Sequence, residues 1–258
     1  MTTNITEHFF TYFNLYVANT PELKKEVYKI RYQVYCEELN YEPPENFPDG
    51  METDIYDDRS IHCLLKHKSS GLYAGCVRFV LADLEQPETP FPMEKVCQNN
   101  IDFAQISRLH YGEISRLAVI SQFRKRKGEK NSETGLILPE KETNPAVQEK
   151  RKFPVIALSL YLSCLSIVTT LNLDYALTIM EARLSRHLRI LGIPTELIGD
   201  FVEYHGRRGP FRLETTKLLN SMSEDVLSLF RSIHSDLESS IELHPLSKKY
   251  QARYSYSK

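Results

Sequence analysis

The sequence predicts a mixed α/β fold: one sheet covered by helices on both faces. Three observations carry that expectation. Short strand-like runs recur between helical stretches, strict βαβ alternation is missing, and no stretch reads as an interdomain linker. The expected unit is one domain over residues 1–243, with a mobile insert at about 127–150 and a flexible tail over 244–258.

Phe13–Ala18 (FNLYVA) reads as a first strand. Thr20-Pro21 opens a helix, threonine as N-cap and proline at the first helical position. Within it Leu23, Val27, Ile30 and Val34 make one apolar stripe, and Tyr28, Arg31 and Tyr35 lie on the neighbouring one. Asn40 to Asp58, with three prolines and many acids, is a loop. Strands follow at Ile61–Lys66 and Leu72–Ala82, joined by the turn-forming HKSSG, and another at Gly112–Ile120.

Beyond the charged insert comes an apolar helix from Pro154 to about Leu171, then a strand at Tyr175–Ile179. A helix around Arg183–Leu191 should stop at Gly192. Two strands flank HGRRGP, read as a turn over Gly206 to Pro210. Val226, Leu229, Phe230, Ile233 and Leu237 stripe a last helix, with Ser221 and Glu224 as its capping box.

Composition narrows the function. The net charge of −2 gives no reason to expect a nucleic-acid partner. Five scattered cysteines without a CxxC pair suggest free thiols in a reducing compartment and no zinc site. The N-terminus lacks a basic segment followed by a long apolar one, so no signal peptide is expected. The most apolar stretch, Phe153–Val168, is short for a membrane span and holds three serines; a buried helix is the expectation, with no integral membrane association. These readings place the chain in the cytoplasm.

Three charged clusters do not suit a purely structural chain: Arg31 with Tyr35 on the first helix, Asp54 and Asp57 in the acidic loop GMETDIYDD, and Arg78 (GCVRFV) with Glu113 and Arg116 (GEISRLAV) on strands. Arg78 shares its strand face with Cys76 and Val80, so its guanidinium needs a carboxylate, which Asp54 or Asp57 could supply. A buried structural ion-pair network would leave the same signature as a site.

The order of these residues resembles a family. Arg31-x3-Tyr35, Tyr41, Asp54-x2-Asp57, Arg78 and Glu113-x2-Arg116, inside RYQVYCEE, ETDIYDDRSIHCLL, GCVRFV and EISRLAV, are similar to the acyl-homoserine-lactone synthases. Closer still are the N-acyl amino acid synthases and the acyltransferases associated with the PEP-CTERM/exosortase system. MEARLSRHLRILGI and VEYHGRRGP extend the likeness, which covers roughly residues 12–215.

The resemblance implies a GNAT-like acyltransferase fold whose central sheet splays two strands apart, the thioester arm of an acyl donor lying between them. It implies Glu113 as general base with Arg116 beside it, and Arg31, Tyr35, Tyr41, Asp54, Asp57 and Arg78 organising the acceptor loop and the cleft entrance. An acceptor amine is mostly ammonium at neutral pH, and a positioned carboxylate can assist its deprotonation by roughly 10²–10⁴-fold. Backbone N–H groups in the cleft would face the oxyanion. In a regular strand Glu113 and Arg116 face opposite ways. Either a β-bulge brings them together, which is our expectation, or only one belongs to the site.

Two departures point to the substrates. Tyr35 and Tyr41 stand where the lactone synthases usually carry phenylalanine and a tryptophan associated with S-adenosylmethionine, and the chain has no tryptophan. That favours an amino acid or similar small amine as acceptor. The GNAT pyrophosphate loop, Q/R-x-x-G-x-G/A, is poorly met by FRKRKGEK, so an acyl carrier protein is expected as donor partner ahead of acyl-coenzyme A. Arg124, Lys125 and Arg126 then make a basic patch for docking that acidic protein, against a solvated loop as the plainer reading. No bound cofactor and no metal are expected. Of the histidines outside these clusters, His62 and His110 read as structural, and His205, at the turn in YHGRRG, is the one to watch.

Overall fold

The computed structural model describes residues 5–97, 107–124 and 155–254, without the side chains of 124, 253 and 254. Its frame is an eight-stranded mixed sheet. The strands are β1 (Phe13–Val17), β2 (Ser60–His67), β3 (Tyr73–Val80), β4 (Tyr111–Val119), β5 (Tyr175–Glu181), β6 (Glu196–Leu197), β7 (Val202–Glu203) and β8 (Arg207–Glu214). They run in the order β1-β2-β3-β4-β5-β8-β6, with β7 also on β8. Among the described residues only the β4–β5 pairing is parallel.

The helices are α1 (Ile5–Tyr12), α2 (Pro21–Tyr32), α3 (Pro92–Val96), α4 (Ser121–Arg124), α5 (Val155–Thr170), α6 (Ala182–Ile190), α7 (Thr215–Ser221), α8 (Glu224–Glu242) and α9 (Pro245–Tyr254). Two-residue alternation sorts the strands onto two cores. Ile61, Cys63, Leu65, Val77 and Phe79 face the larger one with α5 and α8; Leu64 and Cys76 face α2, where Val27, Ile30 and Val34 close a smaller one. The mixed sheet with helices on both faces is therefore as the sequence predicts.

Local chemistry accounts for the boundaries. The Thr20 hydroxyl accepts the Leu23 N–H, capping α2. Helix α2 runs on into a π-helical turn, Gln33–Glu38, the wider winding often found at functional sites. Helix α5 is buried along Ala157–Val168, which explains its uniform apolarity. Gly192 ends α6 at φ +79°, and a Cβ there would lie 2.1 Å from the Ser221 carbonyl oxygen.

Several expectations change. Helix α1 went unread in the sequence. The turn in HGRRGP is confined to His205 (φ +49°) and Gly206 (φ +99°); Arg207 to Pro210 already belong to β8, where ladder pairing with β5 overrides the glycine and proline signals. The residue before α8 is Ser223, while the Ser221 hydroxyl donates to Lys217 O inside α7, so no Ser221–Glu224 capping box forms. Residues 245–254 are helical instead of frayed: Tyr250 is buried and its hydroxyl donates to Ala82 O at 3.2 Å. The insert expected at 127–150 lies outside the described residues.

Candidate active site

Strands β4 and β5 pair only through Tyr111–Glu113 and Tyr175–Leu177. Beyond that point they diverge, and Ile114–Leu117 on one side and Thr178–Glu181 on the other wall a cleft of about 1190 Å³, its open mouth included. Apolar side chains (Met93, Val96, Leu117, Tyr161, Met180, Leu184) and polar ones (Tyr41, Glu42, Arg116, Tyr204, His205, Arg208) share its lining.

Glu113 lines this cleft at the last paired residue of β4, 3% exposed. Its Oε2 accepts the Met93 backbone N–H of α3 at 2.9 Å. Burial pushes its carboxyl up to about 8, although that hydrogen bond and the charges of Arg78 and Arg116 pull the other way. Gly112 lets the strand approach this closely: a Cβ there would lie 2.5 Å from the Phe79 ring.

The bulge expected at Arg116 is present. Cys76 pairs with Ala118 but Arg78 with Ser115, so Arg116 and Leu117 together oppose Val77. Arg116 takes φ +50°, in the left-handed region that β-strands avoid. Its side chain reaches the cleft wall with Glu113, and its guanidinium lies over the Tyr35 ring, 5.5 Å from the centroid.

Beside the cleft, on the α2 face of the sheet, lies a buried ion network. Arg31 bonds Glu52 through Nε and Asp57 through Nη1, the latter at 2.6 Å. Arg78 Nη1 bonds both Asp54 and Asp57, at 2.9 Å for Asp57, and its Nε donates to Ser115 Oγ at 3.0 Å. Both carboxylates that the sequence offered Arg78 are thus its partners. Burial alone would raise Asp57, but Arg31 and Arg78 outweigh it and hold the carboxyl well below the usual range. Glu52 and Asp54 are lowered likewise, against burial, by Arg31 with Arg116 and by Arg78 respectively. His62, directly across from Arg78 on β2, is driven far down by burial and by Arg31, so it is neutral.

The structure therefore divides the sequence-derived residues. Glu113, Arg116, Tyr35 and Tyr41 line the cleft; Arg31, Asp57 and Arg78 are buried behind it, and Asp54 is partly exposed at the network's edge. Tyr35, within the π turn, donates its hydroxyl to Leu117 O at 2.9 Å, and its own carbonyl accepts the Tyr41 N–H at 2.7 Å. Tyr41 stacks on His205 with centroids 4.2 Å apart and an interplanar angle of 16°. Sequence reasoning missed Glu52 and Glu42 as partners of Arg116; both stand in irregular segments, where no periodicity marks a side chain as inward-facing. Lys125 and Arg126 lie outside the described residues, as does the side chain of Arg124.

Among the described residues no three His, Cys, Asp or Glu side chains are grouped to hold a metal, and no helix is long and apolar enough to cross a membrane.

Solved structures share the architecture at low identity. TofI, crystallised in a ternary complex with an inhibitor and MTA, is 16% identical with a TM-score of 0.57 over 86% of this chain and 98% of that one. BjaI, a CoA-dependent acyl-homoserine lactone synthase crystallised with SAM and isopentyl-CoA, is 14% identical with a TM-score of 0.52, covering 90% of this chain and 99% of its own. The AHL synthase LasI is 16% identical with a TM-score of 0.50 over 82% and 96% of the respective chains. Likeness at this level bears on the fold. No curated protein matches the chain in sequence. Residues 30–131, from α2 past the end of β4, match the family model described as acetyltransferase (GNAT) domain, so the open mixed sheet with its splayed strands is a GNAT-like one.

Proposed function

We propose that this chain is an N-acyltransferase that moves a fatty acyl chain from an acyl carrier protein thioester to the amine of an amino acid or similar acceptor. One observation carries the reading: a buried carboxyl, Glu113, facing the cleft where β4 and β5 part, beside an arginine on a bulge. The amine nitrogen attacks the thioester carbonyl carbon, a C–N bond forms and the C–S bond breaks. Glu113 as carboxylate takes the proton the amine loses and gives it to the departing thiolate, which leaves as a thiol while Glu113 returns to the carboxylate. With its carboxyl near 8, Glu113 is a stronger base than an ordinary glutamate, and it becomes available as pH rises. The apolar lining residues suit an acyl chain and the polar ones an acceptor.

The carrier protein rests on the poor pyrophosphate loop in FRKRKGEK and on the basic run Arg124–Arg126. Thioesters of this kind are cytoplasmic, and we place the protein there; an association with exosortase-type systems follows from sequence resemblance alone. The second reading is an acyl-homoserine-lactone synthase using S-adenosylmethionine, favoured by the fold shared with LasI and BjaI. Against it, the chain lacks tryptophan, and the Tyr41 ring is already stacked on His205.

Mass spectrometry of products formed from acyl carrier protein or acyl-CoA with amino acids, and separately with S-adenosylmethionine, decides among these. N-acyl amino acids support the proposal, an acylated lactone moves the chain to the second reading, and no product with any donor removes the enzyme.

A further inference from the structure

Arg116 has a long side chain on a strained bulge at the wall of an open cleft, a setting in which a guanidinium would sample many rotamers. Its closest grip nevertheless comes from one carboxylate. Glu52 Oε1 accepts from Arg116 Nε at 3.2 Å and from Nη2 at 3.1 Å. Its other carboxylate contacts, Nη2 to Glu42 at 3.5 Å and to Asp54 at 3.6 Å, are longer, and both those side chains are partly exposed; the Tyr35 ring lies against the guanidinium as a cation–π contact.

Glu52 is itself fixed. It is 1% exposed, its N–H donates to Tyr28 O at 3.1 Å, and its Oε2 is held by Arg31 Nε. Arg31 also has Asp57 at 2.6 Å, so two carboxylates share it while one oxygen of Glu52 is turned to Arg116. Burying a carboxylate is costly without close cationic partners, and here it has two on different elements, α2 and β4.

We propose that Glu52 is a positioning residue. It transmits the rigid geometry of α2 to Arg116 and thereby fixes the arginine that, among the described residues, belongs both to the ion network and to the cleft. The inference rests on the reading that acyl transfer occurs in this cleft. Because Arg116 would act on the reacting groups and not on acceptor capture, a loosened Arg116 should lower kcat and leave KM nearly alone.

The test compares the parent with Glu52→Gln, Arg116→Lys and the double variant, by steady-state kinetics after thermal unfolding has shown each to be folded. In parallel, ¹⁵N-arginine spectra follow hydrogen exchange at Arg116 Nε. The expectation is a kcat loss of about 10- to 100-fold in each single variant, a KM change below about threefold, and a double variant no worse than Arg116→Lys by more than about twofold. Full kcat in folded Glu52→Gln, or losses that multiply, would overturn the role. If Glu52→Gln does not fold, Arg116→Lys decides, since it keeps the charge and loses the grip: parent-like kcat overturns the proposal and a selective kcat loss supports it. If the parent itself makes no acylated product, the functional reading fails, and the spectra still judge positioning. Slow Nε exchange in the parent that becomes fast in Glu52→Gln supports it; equal exchange overturns it.

Discussion

Two regions of this molecule bury carboxyl groups, and they treat them in opposite ways. On the α2 face, Glu52, Asp54 and Asp57 meet Arg31, Arg78 and Arg116 at hydrogen-bonding distance, and all three acids are held below their ordinary values. In the cleft, Glu113 has a single backbone N–H and no ion-pair partner among the described residues, and burial carries it up to about 8. The same functional group is thus held as an anion in one place and pushed toward its protonated form in the other. Both Glu52 and Glu113 are nearly closed to solvent, 1% and 3% exposed. Of the two, among the described residues, only Glu52 has guanidinium groups at hydrogen-bonding distance, while Arg78 and Arg116 act on Glu113 from farther away and do not offset its burial. Compensated charge builds a frame, and uncompensated charge is left where chemistry is expected.

The largest effect should come from breaking the frame. Arg78→Met takes one cationic partner from Asp54 and from Asp57, leaving Asp57 to Arg31 and Asp54 to the longer Arg116 contact, and removes the Ser115 contact; a broken buried pair typically costs about 3–5 kcal/mol. Denaturant unfolding measures it. Combined with Asp57→Asn, the loss should fall short of the sum of the single changes, and strict additivity would show the two are not coupled.

Next is the cleft. Glu113→Gln should keep the fold and slow acyl transfer by roughly 10²-fold or more, as loss of a general base does. The same variant separates the regions thermodynamically. Glu113 has an ordinary value of 4.5 and a folded value of about 8, so its contribution to stability is complete below 4.5 and is lost as pH rises to about 8. Asp57, lowered from 3.8, contributes in the reverse sense: its stabilisation is present above 3.8 and is lost as pH falls below it. Glu113→Gln should flatten the decline of stability between about pH 4.5 and 8 and leave the acid side unchanged; an unaltered decline would mean Glu113 is not held neutral by its burial.

The smallest effect concerns the basic run. Neutralising Arg124, Lys125 and Arg126 should raise the KM for acyl carrier protein a few-fold at low salt, fading as ionic strength rises, because screening reaches about 8–10 Å at physiological salt. A small thioester should react equally well with variant and parent. Equal loss with both donors, or none with the carrier protein at low salt, reduces the patch to a solvated loop.

How much of this was legible in the sequence depended on periodicity. Strands β1 to β5 and helices α2, α5, α6 and α8 declare themselves because alternation or a 3.6-residue stripe maps directly onto a buried face. The Glu113–Arg116 spacing even announced its own difficulty, since a period of two forbids both facing one way without a bulge. Glu52 was unreadable for the opposite reason: its inward orientation comes from Tyr28 O and Arg31, which are distant in sequence and leave no local pattern. The C-terminal helix did leave a trace, Pro245 at the helix start with Leu246 and Tyr250 four apart, but a short stripe beside a chain end is easily outweighed by charge. For β8, glycine and proline signals pointed to a turn that ladder pairing overruled.

The central claim, that Glu113 is the base for acyl transfer in the cleft, is tested most directly by the pH dependence of kcat at saturating acceptor in the parent and in Glu113→Gln. The parent should show a limb rising about tenfold per pH unit and levelling near 8. In Glu113→Gln that limb should vanish, while any limb from the acceptor amine stays common to both. A limb near 8 that survives in Glu113→Gln, or its absence in the parent, would contradict the account.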